Sequence, residues 1–136
     1  VPIAGFLVTE EVSKGFQPGD HGTTFGGGPL VCAAANAVLD ELYDNNVLDN
    51  CVEVGNYFKI ELEKLQEKKE KIVDVRGYGL MIGVELDCPG AEYVDLMREK
   101  GFLINCTDGN VLRFVPPLII TKEDIDKVIV ALDEVL

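Results

Sequence analysis

A strictly alternating stretch near the middle of the chain constrains the fold most. In residues 80–86, aliphatic side chains occupy every second position, whereas Met81, Gly83 and Glu85 stand between them. Because side chains of a β-strand point alternately to its two faces, this pattern predicts a strand with one buried and one open face. Such a strand needs neighbouring strands and a layer of helices to cover its apolar side.

Hairpin signals on both sides of this strand indicate that the sheet is antiparallel. Residues 72–75 predict a strand directly before it, joined by a glycine-containing connection. Further along the chain, predicted strands at 102–105 and 111–115 flank Asp108-Gly109, a dipeptide typical of a hairpin turn. Local connections of this kind join antiparallel strands, whereas parallel strands need a long crossover.

Helices are predicted before, between and after these strands. Apolar residues recur at the helical period, and Asp49 is the expected N-cap of the second helix. The predicted helices cover residues 30–44, about 49–68, about 89–100, and the chain from about 122 onward. Thr121 and Asp124 form a capping pattern for the last helix. Residues 1–8 have weaker strand character. The order of elements predicts an α+β fold, an antiparallel sheet with helices packed on one face.

Composition argues against several classes of partner. The chain has 24 acidic and 12 basic residues, which give a formal net charge of -12. A surface this acidic repels nucleic acid and anionic membrane, so we expect neither as a partner. The four cysteines lack C-x-x-C spacing and there is a single histidine, so no metal site is expected. Free thiols in a reducing cytosol are the default interpretation, and the sequence leaves a disulfide open.

Three glycines precede the first long predicted helix. Thr23 and Thr24 are followed by Phe25, the glycines 26–28 and Pro29. Proline favours the first helical position, and glycines let the backbone approach a ligand closely. The free N–H groups and positive dipole end of such a helix suit an anion, to which the threonine hydroxyls can add donors. A flexible turn before a helix explains the same residues equally well on physical grounds.

Two segments carry a resemblance to a known family. Residues 22–30, GTTFGGGPL, resemble a signature of the class III PLP-dependent aminotransferases. Residues 75–85, VRGYGLMIGVE, resemble a second signature of the same family. The likeness covers essentially the whole chain, is closest to the acetylornithine branch, and corresponds to the C-terminal third of the enzyme. One departure is Gly28, which stands where the family usually has asparagine.

The resemblance implies a place for this chain in a cytoplasmic, homodimeric enzyme that uses pyridoxal 5'-phosphate. Residues 1–28 would be the tail end of the large cofactor-binding domain, and residues 29–136 the small C-terminal domain of fold-type I enzymes. Thr24 would bind the cofactor phosphate of the neighbouring subunit, and Thr23 would lie near the substrate. The Schiff-base lysine would lie just upstream of Val1. No catalytic residue is therefore expected within the chain, which alone should be inactive.

Arg113 lies in the apolar segment 112–118, LRFVPPL, and has two interpretations. By composition alone, a surface arginine on the open face of the sheet is favoured. The resemblance instead implies the arginine that binds a substrate carboxylate, because a guanidinium can hold a carboxylate through two parallel hydrogen bonds. For Arg76, in the second signature, we expect a structural role paired with a nearby carboxylate.

The reaction implied by the resemblance moves an amino group between small-molecule amino-acid and 2-oxo-acid substrates. N-acetylornithine, or a similar ω-amino donor, would give its amino group to 2-oxoglutarate in arginine biosynthesis. Two alternatives stay open. One is a fragment of an ornithine or 4-aminobutyrate aminotransferase, and the other is a non-catalytic α+β interaction domain.

Overall fold

A computed structural model of the chain describes residues 1–24 and 26–136, which divide into two units between Asn45 and Asn46. The first unit contains α1 (Glu10–Ser13) and α2 (Pro29–Asp44). The predicted helix at 30–44 is confirmed by α2. The predicted strand character of residues 1–8 is wrong, because this segment is irregular and no strand pairs with it among the described residues of the unit.

The first unit exposes apolar side chains rather than burying them. Neither of its helices contains a buried residue. Phe6 is 73% exposed and Leu7 is fully exposed, and on α2 Val38 and Leu39 are 58% and 48% exposed. The apolar face that the sequence predicts for this helix is therefore only partly covered.

The second unit, Asn46–Leu136, contains the sheet. Its elements in chain order are α3 (Val47–Gln66), β1 (Ile72–Tyr78), β2 (Met81–Leu86), α4 (Ala91–Glu99), β3 (Asn105–Thr107), β4 (Val111–Phe114) and α5 (Lys122–Val135). The four strands lie in the order β1-β2-β4-β3, and every neighbouring pair is antiparallel. The predicted α+β fold with an antiparallel sheet is confirmed.

One face of this sheet is buried beneath the helices. The alternating residues Leu80, Ile82, Val84 and Leu86 are each at most 4% exposed. The ring of Phe58 on α3 packs edge-on against Phe114 of β4, with centroids 5.3 Å apart. Other fully buried partners come from the three covering helices: Leu62, Met97, Ile125 and Leu132. Burying one such side chain contributes about 1.5–3 kcal/mol, so this layer is what holds the second unit together.

Three predicted boundaries in the second unit are wrong. Helix α3 begins at Val47 rather than after Asp49, and its N-cap is Asn46. The backbone of Asn46 is left-handed, a conformation that asparagine tolerates. Strand β1 extends to Tyr78, which pairs with Met81, so the connection to β2 is shorter than predicted. Strand β3 begins only at Asn105, because cross-strand pairing to β4 starts there.

The predicted Asp-Gly hairpin turn is confirmed. Both Asp108 and Gly109 have positive φ angles, of 52° and 82°. Aspartate and glycine are among the residues that adopt this conformation most readily, and the combination suits the twist of a hairpin. The turn joins β3 to β4 and thereby fixes which residues of the two strands face each other.

The capping pattern of the last helix is present in a modified form. The Thr121 hydroxyl accepts a hydrogen bond from the Asp124 N–H at 3.3 Å and donates to the Asp124 carboxylate at 2.9 Å. We expect Thr121→Ala to lower the free energy of unfolding by about 1 kcal/mol, because the helix N-terminus loses its side-chain acceptor. Denaturant unfolding of the two proteins measures this difference, and coincident unfolding curves would contradict the cap.

Two further properties concern the cysteines and the length of the apolar helices. All four cysteines are free, half-buried thiols, so the disulfide that the sequence left open is absent. No helix in the part of the chain that the structure describes is both long and apolar enough to span a bilayer.

Candidate functional site

The glycine-rich stretch leads directly into the N-terminus of α2. Pro29 occupies the first turn of the helix, and the N-cap is Gly28, with an extended backbone (φ -66°, ψ 155°) and no side-chain capping bond. Gly27 has φ +72°, in the left-handed region that favours glycine. The first turn contains no acidic residue. Among the described residues, the positive end of this sixteen-residue helix therefore has no capping side chain and no carboxylate in its first turn.

The two threonines precede this helix and are exposed. A side chain at Gly26 would collide with Thr23, because a Cβ atom there would lie 2.3 Å from the Thr23 Cγ2. A glycine at this position thus lets the chain fold tightly beside the threonine. Neither threonine hydroxyl forms a hydrogen bond to the rest of the described chain. Phe25, the remaining residue of the predicted motif, lies outside the described residues.

A single row of residues crosses the open face of the sheet in the second unit. Arg76 of β1 pairs with Gly83 of β2, Gly83 with Arg113 of β4, and Arg113 with Asn105 of β3. Neighbouring strands are about 4.8 Å apart, so about 10 Å separates the backbones at the two arginines. The residue between them is Gly83, and the side chain of Val111 lies against it, because a Cβ atom on Gly83 would be 3.1 Å from the Val111 Cγ1.

The arginine at one end of this row is neutralised by acidic neighbours. The Nη1 of Arg76 lies 2.7 Å from the Asp74 carboxylate and 2.6 Å from the Glu85 carboxylate. Hydrogen bonds to Asp74 and then to Glu85 raise the pKa of the Arg76 guanidinium. The prediction that Arg76 pairs with carboxylates is confirmed, and the two carboxylates compensate its positive charge.

Arg113 has a different environment in the same row. Its side chain is exposed, and its Nε donates to the amide oxygen of Asn105 at 3.2 Å. No carboxylate of the described residues lies within 4.0 Å of its guanidinium nitrogens. In a chain of net charge -12, an exposed guanidinium without an acidic partner is a distinctive place for an anion.

Apolar side chains stand beside Arg113 on the open face. A shallow depression of about 520 Å³ is lined by both arginines of the row and by Tyr78, Met81 and Asp108. Tyr78 is 94% exposed and Met81 is 62% exposed. The depression therefore combines the guanidinium of Arg113 with apolar side chains, and it also contains the carboxylate of Asp108. The guanidinium and the apolar side chains suit a small carboxylate that carries a hydrocarbon chain.

Sequence reasoning missed part of this arrangement. The alternation of 80–86 already placed Met81 on the open face, but nothing in the pattern linked it to Arg113. Asn105 was the last residue of a predicted strand, without a known partner. Of the predicted site residues, Thr23 and Thr24 lie side by side in the first unit, and Arg113 lies in the second.

Comparison with known proteins identifies the group to which the chain is similar. A family model described as "Aminotransferase class-III" matches residues 1–136. The acetylornithine aminotransferase of Methanocaldococcus jannaschii is 54% identical over 135 residues, which are 99% of this chain and 34% of the relative. That of Aquifex aeolicus is 52% identical over 136 residues, which are 100% of this chain and 34% of the relative.

Solved structures agree with the sequence relatives. The crystal structure of acetylornithine aminotransferase from Elizabethkingia anophelis superposes with a TM-score of 0.85 at 34% identity, over 94% of this chain and 33% of that chain. This chain therefore spans about a third of the length of the proteins it matches.

Proposed function

Because the chain belongs to the class-III aminotransferase family, we propose that it forms the substrate-carboxylate site and part of the cofactor-phosphate site of a pyridoxal 5'-phosphate enzyme. The observation that carries the proposal is the exposed guanidinium of Arg113, which has no carboxylate partner among the described residues. Its neighbour Arg76 is paired with two carboxylates, so the lack of a carboxylate partner among the described residues is specific to the position of Arg113.

The carboxylate site follows from the chemistry of arginine. With Nε bonded to Asn105, the two Nη groups of Arg113 remain for a carboxylate, which they can hold through two parallel hydrogen bonds. Such a grip fixes the orientation of the bound acid, and fixed orientation contributes to rate. Both the amino-acid donor and 2-oxoglutarate carry a carboxylate for this site.

The N-terminus of α2 fits a phosphate group. The uncapped N–H groups of the helix and two exposed threonine hydroxyls are hydrogen-bond donors for a dianion. The first turn contains no acidic residue, so no negative charge there opposes the helix dipole. We assign Thr24 to the cofactor phosphate of the neighbouring subunit and Thr23 to the substrate side. When bound, pyridoxal phosphate supplies the electron sink for cleavage of the C–H bond at the substrate carbon that bears the transferred amino group.

The proposal extends to the organisation of the complete enzyme. Residues 1–28 would belong to the large domain and residues 29–136 to the small domain of a cytoplasmic homodimer. The lysine that carries the cofactor would precede Val1, so the chain alone would not catalyse transfer. The fully exposed Leu7 and 73% exposed Phe6 support a covering partner for the first segment.

The proposed reaction transfers the amino group of N-acetylornithine to 2-oxoglutarate. Support comes from two relatives, 54% and 52% identical to this chain, that are named acetylornithine aminotransferases. The test is glutamate formation by the complete enzyme with N-acetylornithine, ornithine or 4-aminobutyrate as donor. We expect N-acetylornithine to have the highest kcat/KM. Preference for another donor would overturn the donor assignment, and no transfer from any donor would overturn the proposed activity and favour a non-catalytic domain.

Thr24→Ala should weaken cofactor binding far more than substrate binding. A hydrogen bond to a charged group contributes about 1.5–3 kcal/mol, so we expect the cofactor Kd to rise on the order of tenfold or more. Titration of the apoenzyme with pyridoxal phosphate measures this change. Thr23→Ala is the matched control, since it removes the adjacent hydroxyl and should raise the substrate KM instead. Equal cofactor affinity in Thr24→Ala and the unaltered enzyme would contradict the assignment.

A further inference from the structure

We infer that Asn105 is a positioning residue for Arg113, which it orients through an uncharged oxygen that leaves the positive charge free for a carboxylate. The inference rests on the proposed role of Arg113 and names the side chain that keeps this arginine available. Asn105 lies directly opposite Arg113 on the edge strand β3, and its amide oxygen is 3.2 Å from the Arg113 Nε.

The position of this bond on the guanidinium matters. A guanidinium has five N–H donors, one on Nε and four on the two Nη nitrogens. The bond from Nε holds the side chain at its inner edge, and the end with both Nη groups stays open. An end-on bidentate carboxylate needs this pair, so Asn105 restrains Arg113 without occupying the donors that the ligand uses.

The charge of the partner matters as much as its position. Arg76, two strands away in the same row, is bonded to two carboxylates, which compensate its positive charge. Asparagine and aspartate have nearly the same shape, but an aspartate at 105 would form an internal ion pair with Arg113. That pair would compete with the substrate carboxylate for the guanidinium, and the apparent affinity would fall by the fraction of Arg113 left free. An amide at this position avoids the competition.

The test compares Asn105→Asp and Asn105→Ala in the complete enzyme. For carboxylate substrates we expect Asn105→Asp to raise KM about tenfold. This is the effect of an internal ion pair that leaves about one tenth of the Arg113 side chains free. For an amine donor of the same length without the α-carboxylate, KM should not change. Asn105→Ala should raise KM by only about threefold, because the charge of Arg113 remains and only its orientation is loosened. The melting temperature of Asn105→Asp should be no lower than that of the unaltered enzyme.

Asn56→Asp is the matched control, since it adds the same charge at an exposed position of α3, which packs on the opposite face of the sheet. Its KM values should equal those of the unaltered enzyme. The inference is overturned if Asn105→Asp keeps a normal KM while Arg113→Lys is impaired, a result that leaves the proposed function standing. It is equally overturned if Asn105→Ala is as impaired as Asn105→Asp and both melt early. Normal kinetics in Arg113→Lys itself would instead contradict the proposed function.

Discussion

Replacing Arg113 with lysine in the complete enzyme is expected to reduce turnover on the order of a hundredfold with both the amino-acid donor and the dicarboxylate acceptor, while the cofactor stays bound. Lysine keeps the positive charge but loses the planar fork, so attraction of the carboxylate survives and its orientation does not. The fold should be unaffected, because Arg113 is exposed and its side-chain hydrogen bond to Asn105 is also exposed.

Steady-state kinetics of both half-reactions, with a melting curve for each variant, measure this effect. Arg98→Lys is the matched control, because Arg98 is also exposed and its ion pair, with Asp95 on the same helix, is one that lysine can replace. If Arg113 were an ordinary surface arginine, its substitution would change the free energy of unfolding by at most about 0.5 kcal/mol and would leave the kinetics unchanged. Normal kinetics in Arg113→Lys would return this residue to the surface role that its composition suggests.

Gly55→Val is expected to destabilise the second unit by about 3 kcal/mol or more, the upper range for overpacking of a close contact. Helix α3 packs against the β1–β2 hairpin at this glycine. A Cβ atom on Gly55 would lie 2.3 Å from the carbonyl oxygen and 2.4 Å from the carbonyl carbon of Gly79. These are backbone atoms, so a rotamer change cannot relieve the collision, and either the helix or the hairpin has to move.

Asn56→Val is the matched control, because it places valine, with the same helix propensity, at the adjacent position of α3 but causes no collision with Gly79. Asn56 is exposed on the same helix, so valine there should change the free energy of unfolding by at most about 0.5 kcal/mol. Denaturant unfolding of the 136-residue chain measures both variants. Equal stability of Gly55→Val and Asn56→Val would show that α3 does not approach the hairpin as closely as the structure has it.

Patterns that depend on burial were predicted well from the sequence. The alternation of 80–86 predicted β2 and its buried face because one side of that strand has no alternative to the core. The helical period predicted the inward residues of α5, among which Ile125 and Leu132 are fully buried. Both signals are strong because each apolar side chain adds a separate free-energy penalty for the wrong orientation.

Features that depend on pairing and contact geometry were not predictable in the same way. A two-residue turn at Asp108-Gly109 would pair Arg113 with Ile104, whereas the actual three-residue connection pairs it with Asn105. That one-residue difference decides which side chain reaches the guanidinium, and the dipeptide alone does not fix it. The start of α3 was misplaced for a related reason, since burial of Val47 extends the helix beyond its expected cap.

The site itself was predicted unevenly. Family membership, suggested by two short signatures, is confirmed by the match over residues 1–136. The roles of Thr23, Thr24 and Arg113 stay predictions, because each depends on a ligand. The structure adds the setting of Arg113: an uncharged partner, Asn105, and a neighbour, Arg76, that is paired with two carboxylates.

The most direct test of the central claim is a crystal structure of the complete enzyme with pyridoxal phosphate and a non-reactive dicarboxylate analogue of 2-oxoglutarate. We expect one carboxylate of the analogue to be held by both Nη groups of Arg113 while Nε remains bonded to Asn105. A carboxylate bound by other residues, with Arg113 facing solvent, would contradict it.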